Sequence, residues 1–159
     1  MKKKITYKAG FTLIELLVVI SIIGFLSVAA IYSFNVVRMQ GRDATRAANA
    51  HTISQALALY INDLGTYPIG DGCLSETANT PGDDLIDQDV IKEIPTDPLW
   101  PTAVPSDTTP GYAQGTSVEF CYYYSGTADN YYLSYYLESN SKSGDSGIHV
   151  ITPAGAQSN

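Results

Sequence analysis

Lys8-Ala9-Gly10-Phe11-Thr12-Leu13-Ile14-Glu15-Leu16-Leu17-Val18-Val19-Ile20 is the stretch whose reading decides the fold. Lys2, Lys3 and Lys4 precede it, and the apolar run continues to Ala30 with Glu15 as its single charge. The twenty residues from Phe11 to Ala30 suffice to cross a hydrocarbon core of about 30 Å. The lysines hold the N-terminal side in the cytoplasm and direct the rest of the chain outward. Arg38, Arg42 and Arg46 flank the far side, but the lysine cluster is nearer and larger. A carboxylate inside such a segment is costly and marks a functional site with a partner.

Composition alone leaves two other readings of this segment open. A secretory signal peptide has an apolar region of roughly 7–15 residues and a small-residue cleavage site after it. This run is longer, carries a carboxylate and shows no clear Ala-x-Ala exit before Asn35. A plain single-pass anchor accounts for length and orientation but gives Glu15 no purpose.

The block from Lys8 to Gly24 closely resembles the class III leader and N-terminal segment of type IV pilins and type II secretion pseudopilins. The resemblance implies that prepilin peptidase cuts between Gly10 and Phe11 and methylates the new amine. It also implies that Glu15, the fifth mature residue, pairs with the terminal amine of Phe11 in a neighbouring subunit during assembly. Two further elements resemble the G-type major pseudopilins. Gly65-Thr66-Tyr67-Pro68 matches their Gly-x-Tyr-Pro, and Ile94-Pro95-Thr96-Asp97-Pro98-Leu99-Trp100 matches their Leu-Pro-x-Asp-Pro-Trp. The proline usual in the family near the twenty-second mature residue is Tyr32 here, so the helix kinking associated with it is not implied.

The expected fold is α+β, the pilin fold. Its long N-terminal α-helix, with a transmembrane first half, packs against a small antiparallel β-sheet head. Residues 1–10 are the leader, 11–35 the transmembrane and filament-core helix, 36–64 its amphipathic continuation, and 65–159 a head of loops and sheet. No proline occurs before Pro68, so nothing interrupts a helix from Phe11 to about Leu64, roughly 80 Å at 1.5 Å per residue. Ile53, Leu57, Tyr60, Ile61 and Leu64 recur at three- and four-residue spacings and form an apolar face. Gly65 is placed to cap the helix. Asp84 to Glu93 reads as a short helix, and Pro95 to Pro110 as an irregular proline-rich loop. Ser117–Ser125 and Tyr131–Glu138 read as a hairpin around a five-residue loop, with Ile148–Thr152 as a third strand.

Removing the leader takes the formal charge from −7 to −11, because four of the nine bases leave with it. Beyond Ala50 there are fourteen acids and two bases, Lys92 and Lys142. Such a surface argues against nucleic acid as the head's own partner. Arg38, Arg42 and Arg46 share one helix face. They read either as a solvated stripe or as a stripe meeting acidic heads of neighbouring subunits.

Cys73 and Cys121 are the two cysteines. In an exported head they read as a disulfide, the alternative being two buried thiols. Seven of the twelve tyrosines fall between Tyr122 and Tyr136 and suit half-wet strands; a sticky or glycan-binding face is the other reading. No cofactor is expected. G-type pseudopilins bind calcium near the C-terminus, and the nearest counterpart here, Asn140 to Gly147 with Asp145, lacks most of their pattern. His51 and His149 are isolated, and no nucleophile elbow, phosphate loop or zinc spacing is present.

The expected function is that of a structural filament subunit, not an enzyme. Its partners would be prepilin peptidase, copies of itself and other pilins or pseudopilins, membrane lipid before assembly, and an inner-membrane assembly platform with its ATPase. Its location would be the cytoplasmic membrane, single-pass with the N-terminus inside, and then an extracytoplasmic or cell-surface filament. A membrane-anchored binding module and a secreted enzyme are the competing readings. The sequence does not separate a pilus from a secretion pseudopilus or a competence pilin.

Overall fold

The computed structural model describes residues 10–102 and 119–157. The leader up to Ala9, the proline-rich loop beyond Thr102 and the start of the strand expected from Ser117, with Val118, lie outside the described residues. The chain divides into two units between Val37 and Arg38.

One helix, α1 (Leu13–Leu64), supplies all of the first unit's described secondary structure and the first element of the second. It continues through position 32, as expected where tyrosine replaces proline. Gly65 ends it with φ of 76° and an N–H bonded to the Ile61 carbonyl at 2.8 Å. That left-handed conformation is the glycine C-cap expected from the sequence.

In the second unit the sheet is an antiparallel meander in the order β1-β2-β3-β4-β5. Its strands are β1 (Gly70–Cys73), β2 (Tyr123–Gly126), β3 (Tyr131–Leu137), β4 (Gly147–Thr152) and β5 (Gly155–Gln157). The expected hairpin is present. Tyr124 opposes Leu133, and Gly126 opposes Tyr131 across a loop closed by Thr127 N–H donating to Asn130 O at 2.8 Å. The first strand of the pair is shorter than expected and starts at Tyr123. Gly126 is required by close approach: a methyl group there would overlap the Tyr124 hydroxyl and the Pro68 carbonyl, which are bonded to each other at 2.8 Å.

The core is the seam between α1 and the sheet. Ala50, Ile53 and Leu57 of the helix meet Tyr122, Tyr124, Leu133, Tyr135 and Leu137, with Leu85 and Ile94 added from the connections. Fully burying a side chain of this size contributes about 1.5–3 kcal/mol. Leu64, expected on the buried face, is 47% exposed. Five of the seven clustered tyrosines (Tyr122, Tyr123, Tyr124, Tyr131 and Tyr135) are buried. Burial pushes the phenols of Tyr122 and Tyr131 up to about 12, so these residues are core and not a sticky face.

The short helix α2 (Pro81–Asp87) begins three residues earlier than expected. Thr80 caps it by accepting from Asp83 N–H at 3.4 Å, Pro81 opens the first turn, and the Asp83 carboxylate accepts from Asn79 N–H at 2.9 Å. Asp89, with φ of 55°, lies just beyond its end.

Cys73 at the end of β1 is bridged to Cys121, two residues before β2, with Cα atoms 5.7 Å apart and 48 positions between them in sequence. The bond ties an edge strand rich in glycine, and therefore weak on its own, to the central hairpin. In the chain-entropy model a loop of this length is worth about 4 kcal/mol. Denaturant unfolding with and without reductant is expected to show a loss of that order; coincident curves would contradict it.

Candidate functional site

In the first unit, helix α1 begins with Thr12 as its N-cap. Glu15 N–H donates to Thr12 Oγ1 at 3.3 Å, while Glu15 Oε2 accepts from Thr12 N–H at 2.8 Å and from Thr12 Oγ1 at 2.7 Å. This is a reciprocal capping box: each side chain satisfies a backbone N–H that has no partner within the helix. Thr-x-x-Glu at residues 12–15 is the sequence signature of such a box, a local role beside the intersubunit pairing expected of Glu15. In the single chain, then, Glu15 is bonded to Thr12. Gly10 is exposed and Phe11 is 85% exposed.

The rest of this segment is an apolar rod. Leu13, Ile14, Leu16, Leu17, Val18, Val19 and Ile20 are all exposed, as are most of the large side chains up to Val37. Its three serine hydroxyls are turned back onto the helix. Ser21, Ser27 and Ser33 donate to the carbonyls of Leu17, Ile23 and Ala29, four residues back. That pattern removes polar groups from an apolar surround. The segment is long and apolar enough to cross a membrane and is unburied within the chain.

In the second unit the structure corrects the reading of the arginine stripe. Arg46 is fully buried and serves three carboxylates of its own chain. Its Nε and Nη2 donate to Asp97 at 2.7 and 3.1 Å, and its Nη1 donates to Asp43 at 2.9 Å and to Glu138 at 2.6 Å. Arg42 forks onto the same Glu138 at 2.7 and 2.6 Å. Asp43 also accepts from the N–H groups of Glu138 and Ser139, each at 2.9 Å, and Phe120 lies under the Arg46 guanidinium at 4.6 Å. No buried side-chain polar atom among the described residues lacks a partner. Arg46 is therefore closed to solvent, and Arg42, half-buried, is engaged by Glu138 of its own chain. Arg38 remains exposed.

A signal for this network was available. Asp43, Arg46, Ala50, Ile53 and Leu57 continue one helical stripe at three- and four-residue spacing. Charges on a core-facing stripe must be paired to be tolerated. Burial opposes the charge on Arg46, but hydrogen bonds to Asp97 and Glu138 hold its pKa above the ordinary value. Burial likewise opposes the charge on Glu138, and its bonds from Arg42 and Arg46 prevail, holding its pKa below the usual 4.5.

A group whose folded pKa is depressed gives stability above its unfolded value and loses it as pH falls through the folded one. The denaturation midpoint is therefore expected to drop as pH falls from about 5 to about 3. A constant midpoint across that window would contradict the role given to Glu138.

Asp145 is exposed, and its carbonyl is bonded to His149 Nε2 at 2.7 Å. Among the described residues no group of three or more His, Cys, Asp or Glu is arranged to hold a metal ion. His51 is exposed on α1, 3.3 Å from the Gln55 amide nitrogen.

Residues 5–31 match the family model described as the prokaryotic N-terminal methylation motif. This motif is the class III leader of type IV pilins and pseudopilins, and the family it marks consists of structural subunits. No curated protein and no solved structure gives a significant match. The chain thus joins a pilin-type leader to a helix-and-meander layout of pilin-like kind.

Proposed function

We propose that this chain is a prepilin that becomes a structural subunit of a type IV pilus or type II secretion pseudopilus. The observation that carries the reading is the methylation motif at residues 5–31 continuing into a helix whose apolar surface is exposed from Leu13 to Val37. A surface of that size needs cover. The cytoplasmic membrane supplies it first, with the chain inserted once and its N-terminus inside. Neighbouring helices supply it after assembly.

Prepilin peptidase cleaves between Gly10 and Phe11 and methylates the amine of Phe11. Glu15 then exchanges its Thr12 bonds for the Phe11 amine of an adjacent subunit, an ion pair that offsets the cost of a carboxylate in an apolar bundle. An inner-membrane platform and its ATPase drive the assembly, and the acidic second unit faces outward as the head. Arg38 is the one member of the arginine stripe left to meet a neighbour's acids.

The reading is tested at the mature N-terminus. Cleavage leaves Phe11 first, and Gly10→Val is expected to leave the leader attached, because a branched side chain replaces the glycine at the cut. Normal processing of Gly10→Val would contradict the assignment.

A further inference from the structure

A second feature lies in the globular unit. The turn from Asp97 to Trp100 and the segment after β1 enclose an open groove of about 720 Å³, within the range of ligand sites of roughly 300–1,000 Å³. Trp100 lines it and is 44% exposed. Glu76, Glu93 and Thr96, all exposed, line it as well, as does the Cys73–Cys121 bridge. The described lining contains no lysine or arginine.

The groove is held in shape by the charge network. Arg46 grips both oxygens of Asp97. Asp97 in turn accepts from Leu99 N–H at 2.8 Å through its side chain and from Trp100 N–H at 3.0 Å through its carbonyl. On the opposite side Glu76 Oε1 accepts from Ile94 N–H at 3.2 Å, tying the two walls together. The Asp97 carboxylate is thus committed to the fold, while Glu93 and the indole face outward.

An exposed indole face flanked by carboxylates attracts cations. A planar guanidinium suits it best, since it stacks on the ring and donates sideways to carboxylate oxygens. The unit's excess of acids strengthens the attraction. We infer that the groove lined by Trp100, Glu76 and Glu93 binds an arginine side chain presented by a partner polypeptide. The inference does not depend on how the N-terminal segment assembles.

Trp100 is the sole tryptophan, so its emission reports on the groove directly. The full-length protein in a non-ionic detergent is titrated with a short, end-capped glycine–arginine peptide. Controls are the same peptide with citrulline in place of arginine, and a neutral disaccharide. The expected result is a saturable change with the arginine peptide alone, weakened at least about fivefold by Glu93→Gln and by high salt. Because Glu93 is exposed, Glu93→Gln leaves the fold intact, which near-ultraviolet dichroism checks. An equal response to citrulline, a saturable response to the disaccharide, undiminished binding by Glu93→Gln, or no response to any probe would each overturn the inference.

Discussion

Arg46→Ala is expected to destabilise the globular unit by about 3–5 kcal/mol, the cost of breaking a buried ion pair by removing one partner. The substitution deletes one guanidinium that donates to three carboxylates and stacks on Phe120. Asp43 and Asp97 stay buried with their positive partner gone, and the turn carrying Trp100 loses its anchor. Arg46→Lys should recover only part of the loss. An ammonium keeps the charge but cannot fork onto Asp97 while reaching Glu138. Urea unfolding of the oxidised, full-length protein in detergent, followed by near-ultraviolet dichroism, measures both variants. A loss under about 1 kcal/mol for Arg46→Ala is the size of a surface pair and would mean that water, not the fold, satisfies these carboxylates.

Glu15 is expected to show the opposite profile: assembly lost, globular unit untouched. In the single chain Glu15 does only local work, capping α1 through Thr12. Glutamine can fill the same place in a capping box, but it carries no charge to pair with an amine. Glu15→Gln and Glu15→Ala should therefore both abolish filaments, or be displaced from them, while unfolding of the globular unit is unchanged. If capping were the residue's whole role, Glu15→Gln would restore filaments that Glu15→Ala loses. Normal filament yield from either variant as the sole subunit would remove the assembly role and favour a plain membrane anchor.

Local signals account for the part of this molecule that is legible in the sequence. The helix end at Leu64, its glycine cap, the Tyr131 strand and the β4 strand follow from local signals: unbroken helix formers, a glycine before Pro68, and alternation of apolar side chains. The β1 strand has none of these. Gly70-Asp71-Gly72-Cys73 is held extended by its pairing with β2 and by the disulfide, both contacts distant in sequence. The start of α2 lies before the expected Asp84 because Thr80 and Pro81 supply its cap and first turn.

The charge network was missed for a different reason. Arg42 and Arg46 were read as a stripe on one helix, whereas their partners Asp97 and Glu138 lie 51 and 92 positions beyond Arg46. Periodicity shows that a face is buried, but not which distant carboxylate reaches it. Glu15 stands out by its cost in an apolar run, whereas its bond to Thr12 is a local cap that the same residue also makes.

Mass spectrometry of the N-terminal peptide of protein recovered from membranes and filaments tests the central claim most directly. The account predicts that this peptide begins at Phe11 with a methylated amine, and that residues 1 to 10 are absent. A mature protein that retains those residues, or one that begins beyond Ala30 as a secreted protein would, contradicts it.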